Sequence, residues 1–510
     1  MSWWWIGTSL LCVVLVPVLF MILRLISSRI RLQHYKKQGL PIYFFPALGN
    51  QAIFSKEQPD NKTKSNLEFA KRLAAESPSG AFVVNTFSEQ TATLFIHNSD
   101  MVREFLLHEE HYIKAPIIDR LKNELGLFFQ NGDKATRSKA LFTKIFSYDG
   151  MDTLSPVICD LIKDSFEKFD SKHGVTSQEF KSINLEELFD PVMERIANLI
   201  VFGKMTVPES HPISKLHASL KTFFGTLRTL RYCIPFVLFP KLAPKLGLVP
   251  PLRRIDKIVK HQQELIEKII EERKQDPTPF GQSIIDRVLH HNAECDSQND
   301  QVNKMSPMDI VGNFNLFLFA GTDTSQNTTK MAICYMAGDQ KVQDIVHEIN
   351  KEIYPTGSNQ TTNVALESCN KLSLWTREIL RLHSPVARSS LRIATQDTTL
   401  KGIHIKKGDR VSVLAAGLNF DNNVYSDPEK FDLSRFSPEK EKTYPKYQWV
   451  PFMVGRRVCL GRHLGEMMVK LLVTQFVLHY EFKQPLGHEY YKQSTVTTNI
   501  NNPQVLVKRR

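Results

Sequence analysis

The clearest chemistry in this sequence centres on Cys459. Its surroundings read Phe452-Met-Val-Gly455-Arg-Arg457-Val-Cys459-Leu-Gly461, and apolar residues then recur at helical spacing from Leu460 to Leu472. The pattern predicts a cysteine at a helix N-terminus, where backbone N–H groups and the helix dipole favour an anion. A thiolate held there can bind a metal from one side.

The residues around Cys459 suit a ligand loop. Gly455 permits a tight turn, and Gly461 lets another group approach the backbone closely. Phe452 can shield the sulfur from water, and Arg457 offers a charge-assisted bond to a carboxylate. These four residues are therefore candidates for cofactor binding.

The other cysteines are scattered singly, without the spacing of a zinc or iron–sulfur site. They are Cys12, Cys159, Cys233, Cys295, Cys334 and Cys369. With Cys459 the chain has seven cysteines. An odd number of scattered cysteines argues against a disulfide framework and for a reducing compartment. A lone thiolate without protein partner ligands fits haem iron, because the porphyrin supplies four further ligands.

Four motifs, in the family order, resemble those of the cytochrome P450 (haem-thiolate monooxygenase) family. The Cys459 frame resembles the haem-binding loop, and Glu378-Ile-Leu-Arg381 resembles the Glu-x-x-Arg motif. Residues 320–325, Ala-Gly-Thr-Asp-Thr-Ser, resemble the oxygen-binding segment of the long central helix. Residues 431–436, Phe-Asp-Leu-Ser-Arg-Phe, resemble the Pro-Glu-Arg-Phe region. The resemblance covers roughly residues 40–510.

The resemblance implies a haem site with Cys459 as the axial ligand of the iron in heme b. The further cofactor-binding residues that it implies are Phe452, Gly455, Arg457, Gly461, Arg392 and Lys139. Lys139 marks a departure, because the family often has Trp-x-x-x-Arg where this chain has Ala135 and Lys139. A lysine meets a haem propionate as a point charge and lacks the bidentate fork of arginine.

The resemblance also implies catalytic and substrate-binding residues. Thr324 would hold dioxygen or a water molecule, and Asp323 would relay protons. The substrate pocket would be lined by Ala320, Val386, Ala387 and Arg388. Arg388 is unusual there, and it either meets a polar or anionic substrate group or points away from the pocket.

A network of charged residues is predicted behind the haem loop. Glu378 and Arg381 lie three residues apart on a helical pattern and hence share one face. An ordinary surface pair is the usual explanation of such spacing. The family order instead favours a buried network with Arg435 that supports the loop and takes no part in catalysis.

A long helix is predicted from Ser306-Pro307 to about Ala337, since a hydroxyl cap and a first-turn proline mark its start. Its middle, residues 321–329, is rich in poor helix formers. Hydroxyl groups there can bond the preceding carbonyls and distort the helix. The segment is either the place where dioxygen and water reach the core or a solvated polar kink.

The net charge of +12 over 510 residues restricts the class of partner. The chain has no nucleic-acid motif and no basic patch interleaved with aromatic residues, so no nucleic-acid partner is expected. A basic surface near an anionic membrane is one alternative. The resemblance implies another, a basic face that docks an acidic electron-donor protein. Its candidate residues are Lys139, Lys144, Arg456, Arg462 and Lys470.

The N-terminal segment predicts a membrane anchor. Residues 2–23 carry no ionisable side chain and are long enough to span a bilayer, and basic residues follow from Arg24. A cleaved signal peptide is the rival interpretation, but the start lacks basic residues and no small-x-small site follows. We expect a transmembrane anchor over 1–28, a basic, proline-containing hinge over 29–50 and a haem-thiolate catalytic domain over 51–510.

The expected fold is mainly α with small β-sheets (α+β), of the cytochrome P450 type. A single transmembrane helix would precede it, and the long central helix would cross it. Residues 81–87 and 92–96 predict an early β-hairpin. The positive-inside rule places the catalytic domain on the cytosolic side of the membrane, and the resemblance implies the endoplasmic reticulum.

The resemblance implies a monooxygenase that inserts one atom of dioxygen into an apolar lipid, sterol or xenobiotic. Electrons would come from NADPH through a separate flavoprotein reductase, with cytochrome b5 as a further donor. One alternative is a haem-thiolate isomerase or dehydratase, which needs no external electrons. Asp323-Thr324 argues against it, because that chemistry has no need of a proton relay. The other alternative is a non-catalytic, membrane-anchored haem or lipid carrier.

Overall fold

The computed structural model describes residues 19, 22–23, 25–45, 66–86, 91–114, 125–143, 145–146, 148–230, 233, 243–275, 283–355, 357–494 and 497–510. The chain forms two compact units. The sheet unit comprises Met1–Ala115, Phe224–Asp256 and Arg388–Leu418. The helical unit comprises Pro116–Phe223, Lys257–Ala387 and Asn419–Arg510.

Helices account for most of the described chain. The first three lie within the sheet unit: α1 (25–36), α2 (Asn66–Ala75) and α3 (Ser99–Leu107). The next five are α4 (Gly132–Thr143), α5 (Tyr148–His173), α6 (Leu185–Phe202), α7 (Pro212–Thr229) and α8 (Pro250–Gln275). They are followed by α9 (Ile284–Ser297), α10 (Pro307–Gly338), α11 (Gln340–Ile353), α12 (Asn363–Ser368) and α13 (Asn370–Leu382). The last three are α14 (Ala415–Asn419), α15 (Pro438–Glu441) and α16 (Arg462–His479).

The sheet unit is built on a six-stranded mixed sheet. Its spatial order is β1 (Ile42–Phe45), β2 (Ala81–Thr86), β3 (Thr93–Ile96), β9 (Arg410–Val413), β6 (Arg392–Ala394) and β4 (Tyr112–Lys114). Strands β7 (Thr398–Leu400) and β8 (Ile403–Ile405) form a separate two-stranded sheet. Strands β2 and β3 are antiparallel, with Ala81 opposite Ile96, which confirms the predicted hairpin. The mainly α fold with small sheets is also confirmed.

Helix α1 is held against the sheet unit by the buried carboxylate of Asp409. Arg31 Nε lies 2.8 Å from Asp409 Oδ1, and the Tyr35 hydroxyl donates to Asp409 Oδ2 at 2.6 Å. The backbone N–H of Ala92 also donates to this carboxylate, at 2.8 Å. Burial raises the pKa of the Tyr35 phenol, which therefore stays neutral and keeps donating. Residues 29–36 and Ile42–Phe45, inside the predicted hinge, thus form a docked helix and a strand.

The predicted anchor over residues 1–28 lies mostly outside the described residues. Of that segment only 19, 22–23 and 25–28 are described, and they are helical. None of the helices in the described part of the chain combines the length and the apolarity that a bilayer span requires.

The helical unit is organised around α10. This helix begins after the Ser306 cap, whose hydroxyl accepts a hydrogen bond from the N–H of Asp309, and it has proline at its first position, as expected from the sequence. It packs against α6 and α16. Two small sheets complete the unit: β10 (Tyr480–Lys483), β13 (Gln504–Arg509) and β5 (Lys181–Asn184) in one, β11 (Tyr491–Ser494) and β12 (Thr498–Asn501) in the other.

Candidate active site around Cys459

Cys459 lies in a turn just before α16. The turn is closed by two backbone hydrogen bonds, from Cys459 N to Phe452 O at 2.9 Å and from Val458 N to Gly455 O at 3.1 Å. Gly455 has a φ of 78°, which requires the conformational freedom of glycine. The helix itself starts at Arg462, so the cysteine precedes the helix N-terminus by one short turn.

Cys459 differs from the other described cysteines in its exposure. Its side chain is exposed, whereas Cys159, Cys295, Cys334 and Cys369 are buried. Burial raises the pKa of the Cys159 thiol to about 11 and that of Cys334 to about 12. These thiols therefore stay protonated and act as small apolar side chains. Cys233 is half-buried, so among the cysteines that the structure describes Cys459 is the most accessible to a ligand.

Two basic side chains tie the Cys459 loop to the start of α4. Lys139 Nζ donates to the carbonyl of Arg456 at 2.9 Å. Arg457 Nη2 donates to the carbonyl of Gln130, and it lies 3.2 Å from Asn131 Oδ1. The sequence predicted a carboxylate as the partner of Arg457 and a propionate as that of Lys139. In the described structure both side chains donate to oxygens of the neighbouring backbone and amide, which hold the loop in place, and their contacts with haem carboxylates stay predictions.

Helices α16 and α10 approach each other beside the loop. A Cβ atom added to Gly465 would lie 3.5 Å from Phe452 Cε1 and 4.0 Å from Ser325 Oγ. One helical turn earlier, Gly461 and Gly321 would each accept a Cβ with no atom within 4 Å. The two helices therefore pack closely at Gly465 and Ser325, and one turn earlier there is open space beside Gly461 and Gly321.

The middle of α10 changes burial where the sequence changes composition. Residues 309–315 and 325–334 are mostly buried, whereas residues 319–324 are half-buried. The Thr322 and Thr324 hydroxyls donate to the carbonyls of Leu318 at 2.6 Å and Ala320 at 2.9 Å. The helix thus stays continuous through its polar centre, because the hydroxyls bond backward along it. All of residues 307–338 are helical, and the half-buried state of residues 319–324 is compatible with both roles predicted for this segment.

Asp323 is positioned by the C-terminal hairpin. Thr497, which precedes β12, donates its hydroxyl proton to Asp323 Oδ2. Asn327 Nδ2 lies 3.4 Å from the same Thr497 oxygen, one turn further along α10. The carboxylate is therefore oriented by a residue that no motif in the sequence singles out.

Glu378, Arg381 and Arg435 are brought together in a fully buried cluster, so the alternative of a surface pair is wrong. The Glu378 carboxylate accepts two hydrogen bonds from Arg381, at 2.7 and 2.8 Å, and lies 3.2 Å from Arg435 Nε. Arg381 Nη1 also donates to the carbonyls of Asn419 and Pro428, at 2.8 and 2.7 Å. The surplus of positive charge is thus shared with backbone oxygens, which compensates for its burial.

The remaining predicted residues fall in both units. Ala320 and Val386 are half-buried and Ala387 is buried, all in the helical unit. Arg388 is half-buried in the sheet unit. Arg392 is buried in strand β6 of the sheet unit, and its guanidinium lies 3.6 Å from the carboxylate of Glu109. Arg392 is thus held by an acidic neighbour within its own unit.

The predicted basic face needs one correction. Lys470 is buried, with its ammonium 2.6 Å from the carboxylate of Glu367, so it belongs to the interior of the helical unit. Arg456 and Arg462 are exposed and Lys139 is half-buried, while Lys144 lies outside the described residues. The charge available near Cys459 for docking therefore comes from its own loop and from the first residue of α16.

Comparison with known proteins gives a consistent family. The family model for Cytochrome P450 matches residues 68–507. Cytochrome P450 3A12 of Canis lupus familiaris is 23% identical over 398 residues, which is 76% of each chain. Cytochrome P450 3A31 of Mesocricetus auratus is 22% identical over 460 residues, 88% of this chain and 86% of the relative.

A solved structure supports the same assignment at the level of the fold. The crystal structure of the cytochrome P450DA heme domain matches with a TM-score of 0.72 and 16% identity. It covers 92% of this chain and 98% of that chain. The family model, the relatives and the fold agree with the motif around the exposed Cys459: the chain belongs to the cytochrome P450 family of haem-dependent monooxygenases.

Proposed function

We propose that this protein inserts one atom of dioxygen into an apolar organic substrate, with Cys459 as the axial ligand of heme b. The observation that carries the proposal is the pairing of two features. An exposed cysteine lies at the start of α16, and α16 packs against α10 beside its half-buried polar centre. This arrangement supports a thiolate ligand just before α16 and an oxygen-handling segment on the neighbouring α10.

The residues present fit a haem group. The open turns at Gly461 and Gly321 provide space on the two helices, and a side chain at either position would project into it. The helix N-terminus after Cys459 has no side-chain cap, which leaves its partial positive charge to favour a thiolate. When bound, haem supplies oxygen activation, and a thiolate ligand adds electron density that favours O–O cleavage.

Proton delivery is assigned to Asp323 and Thr324. The Asp323 carboxylate is oriented by Thr497, so it can hold and pass a proton from a defined position. The Thr324 hydroxyl donates to the Ala320 carbonyl and keeps its oxygen available to accept a further bond from a water molecule. This arrangement favours a monooxygenase over a haem-thiolate isomerase, whose reaction consumes no protons from solvent.

Electrons are proposed to come from NADPH through a separate flavoprotein reductase, with cytochrome b5 as a further donor. Arg456 and Arg462 are exposed on either side of Cys459 and carry positive charge suited to an acidic donor. The membrane of the endoplasmic reticulum is the proposed location. An apolar stripe on the N-terminal helical segment supports membrane contact, because its large side chains are exposed. They are Leu19, Ile22, Leu23, Ile26 and Ile30.

The reduced, carbon-monoxide-bound absorption spectrum tests the central assignment. The wild type should show the long-wavelength band of a thiolate-ligated haem, and Cys459→Ser should lose it. Cys233→Ser is the matched control, since Cys233 is half-buried and belongs to the sheet unit, whereas Cys459 belongs to the helical unit. A wild type without this band, or a Cys459→Ser variant that keeps it, overturns the proposal.

A further inference from the structure

Three side chains with metal-binding atoms converge on the surface of the sheet unit. They are His108, Glu110 and His111, and their ligand atoms all lie within 4.8 Å of one another. Glu110 Oε1 lies 3.7 Å from His108 Nδ1 and 3.8 Å from His111 Nε2. Among the described residues, this is the one group of three histidine, cysteine or acidic side chains whose ligand atoms are close enough to share a metal ion.

The local backbone explains the convergence. Helix α3 ends at Leu107 with His108 as its C-cap, and Glu109–His111 then form a single 3-10 turn that leads directly into strand β4. In a 3-10 turn the side chains at positions i and i+3 eclipse each other, which places His108 above His111. Their rings are stacked, with centroids 5.4 Å apart and planes 10° from parallel. The turn is fixed at both ends, so the backbone holds the three side chains next to one another.

One ligand is also held by a second layer of contacts. His111 Nδ1 is hydrogen-bonded to Thr398 Oγ1 at 3.0 Å, which leaves Nε2 for a metal. The His111 carbonyl accepts from both the N–H and the hydroxyl of Thr395, each at 2.9 Å. Metal-binding histidines are commonly oriented through the second ring nitrogen in this manner. Thr398 therefore acts here as an orienting residue for a ligand.

The carboxylate of the neighbouring Glu109 pairs with an arginine and does not join the cluster. Glu109 lies inside the turn, but its side chain is mostly buried and reaches Arg392 of strand β6 at 3.6 Å. Glu110, by contrast, is more than half exposed, and its Oε1 lies 3.7 and 3.8 Å from a nitrogen of each imidazole. The cluster thus offers two nitrogen donors and one oxygen donor on the solvent side.

We propose that His108, Glu110 and His111 bind a single divalent transition-metal cation, and that zinc fits the donor set best. Two imidazoles and one carboxylate are a common zinc set, whereas calcium and magnesium prefer oxygen ligands throughout. Tetrahedral bonds of about 2.0–2.1 Å place ligand atoms roughly 3.3 Å apart. To bind one ion, the two imidazoles turn out of their stack so that a nitrogen lone pair of each points at the metal, and water completes the fourth position. The inference does not depend on the haem chemistry proposed above.

Zinc binding to the haem-loaded, full-length protein tests the site, because haem occupies the thiolate of Cys459. Equilibrium dialysis after chelation should show one zinc site in the wild type that is missing in His108→Ala and in His111→Ala. Thr398→Val should weaken that site by about tenfold, as loss of an orienting partner does. Magnesium at equal concentration should not compete.

The chain offers a matched control for ordinary surface histidines. His290 and Glu294 form an exposed two-residue pair at 3.4 Å on α9, with no third ligand described beside it. His290→Ala should leave the zinc stoichiometry and affinity unchanged. Equal zinc loss in His290→Ala and His108→Ala indicates adventitious binding only and overturns the proposal, as does a wild type that binds no more zinc than His108→Ala. The carbon-monoxide spectrum of each variant verifies its fold.

Discussion

Thr497 donates a hydrogen bond to the carboxylate of Asp323, and this bond links the C-terminal hairpin to the centre of α10. Asn327 is in turn 3.4 Å from the Thr497 oxygen. The three residues form a short polar chain in which a side chain from a loop fixes the orientation of a helix carboxylate. Thr497 is therefore a positioning residue for proton delivery within the proposed function.

Removing the Thr497 hydroxyl should uncouple oxygen consumption from product formation. We expect Thr497→Val to lower product per NADPH by about tenfold, less than the ~10²–10⁴ contributed by a positioned proton donor itself. Hydrogen peroxide should rise correspondingly, while the carbon-monoxide spectrum stays unchanged. Thr498→Val is the control, because the buried Thr498 hydroxyl has no hydrogen-bond partner among the described residues. Equal coupling in the two variants would remove Thr497 from the mechanism.

A change at Asp323, the proposed proton donor, should have a larger effect than the loss of Thr497. Asp323→Asn cannot pass a proton, and we expect it to lower the coupled rate by about 10²-fold at saturating reductase. Thr322→Val is the control. Thr322 lies on the same helix turn as Asp323, but its hydroxyl donates to the carbonyl of Leu318 and has no role in the proposed proton delivery. Measured NADPH, oxygen and product together also separate a monooxygenase from an isomerase. Turnover of a peroxide substrate that needs no NADPH, at a rate unaffected by Asp323→Asn, would contradict the proposed reaction.

Breaking the buried cluster of Glu378, Arg381 and Arg435 should lower the free energy of unfolding, because the cluster supports the fold and takes no direct part in catalysis. Glu378→Gln leaves the positive charges of Arg381 and Arg435 without their carboxylate, and loss of one partner of a buried pair costs about 3–5 kcal/mol. Denaturant unfolding of the haem-loaded protein measures this change. Lys351→Gln, which breaks the exposed pair with Glu348, should leave the unfolding midpoint unchanged. Similar midpoints for both variants would mean that the network does not support the fold.

Local patterns allowed much of the fold and the site to be predicted. The Ser306 cap and Pro307 marked the start of α10, and the three-residue spacing of Glu378 and Arg381 placed them on one face. These features depend on neighbours within a few residues, so the rules of helical periodicity and capping can predict them. The position of Arg435 came from the family order, since no local rule links residues 57 apart.

Contacts between distant segments could not be predicted in the same way. Thr497 and Asp323 are 174 residues apart, and neither the hairpin nor the helix carries a signal for the other. Lys470 appeared to be a surface charge because lysines rarely lie in the interior. Its burial depends on Glu367, 103 residues earlier, whose carboxylate compensates the ammonium. Whether a charged residue is buried depends on such a partner from a distant segment. The sequence around the residue does not show which partner it will meet.

Thiol reactivity should distinguish Cys459 from the buried cysteines. At about pH 8, a thiol with a pKa near 11 is ionised in roughly one molecule per thousand, so Cys159 reacts slowly even when reached. Iodoacetamide followed by peptide mapping should label Cys459 in haem-free protein and spare Cys159 and Cys334. Because burial raises both pKa values, their labelling should increase only as the pH rises towards 11. Haem loading should protect Cys459, and labelling of Cys459 at the same rate in loaded protein would contradict its role as a ligand.

Charge reversal beside the Cys459 loop should weaken electron transfer through docking. Arg456 and Arg462 are exposed, so Arg456→Glu and Arg462→Glu remove attraction for an acidic donor. We expect kcat/KM for the reductase to fall by about tenfold per charge reversal at low salt, with the difference shrinking as ionic strength rises. Stopped-flow reduction across a salt series measures this change.

Lys470 provides the contrasting variant for the docking experiment. Its ammonium is buried against Glu367, so Lys470→Gln should lower the unfolding midpoint and leave the salt dependence of reduction as in the wild type. Arg462 pairs on the surface with Glu466 at 3.3 Å, and Glu466→Gln should therefore strengthen docking slightly by releasing its charge. If Arg456→Glu and Lys470→Gln change the salt dependence equally, the donor does not dock on the exposed loop, and the basic surface near Cys459 serves another contact.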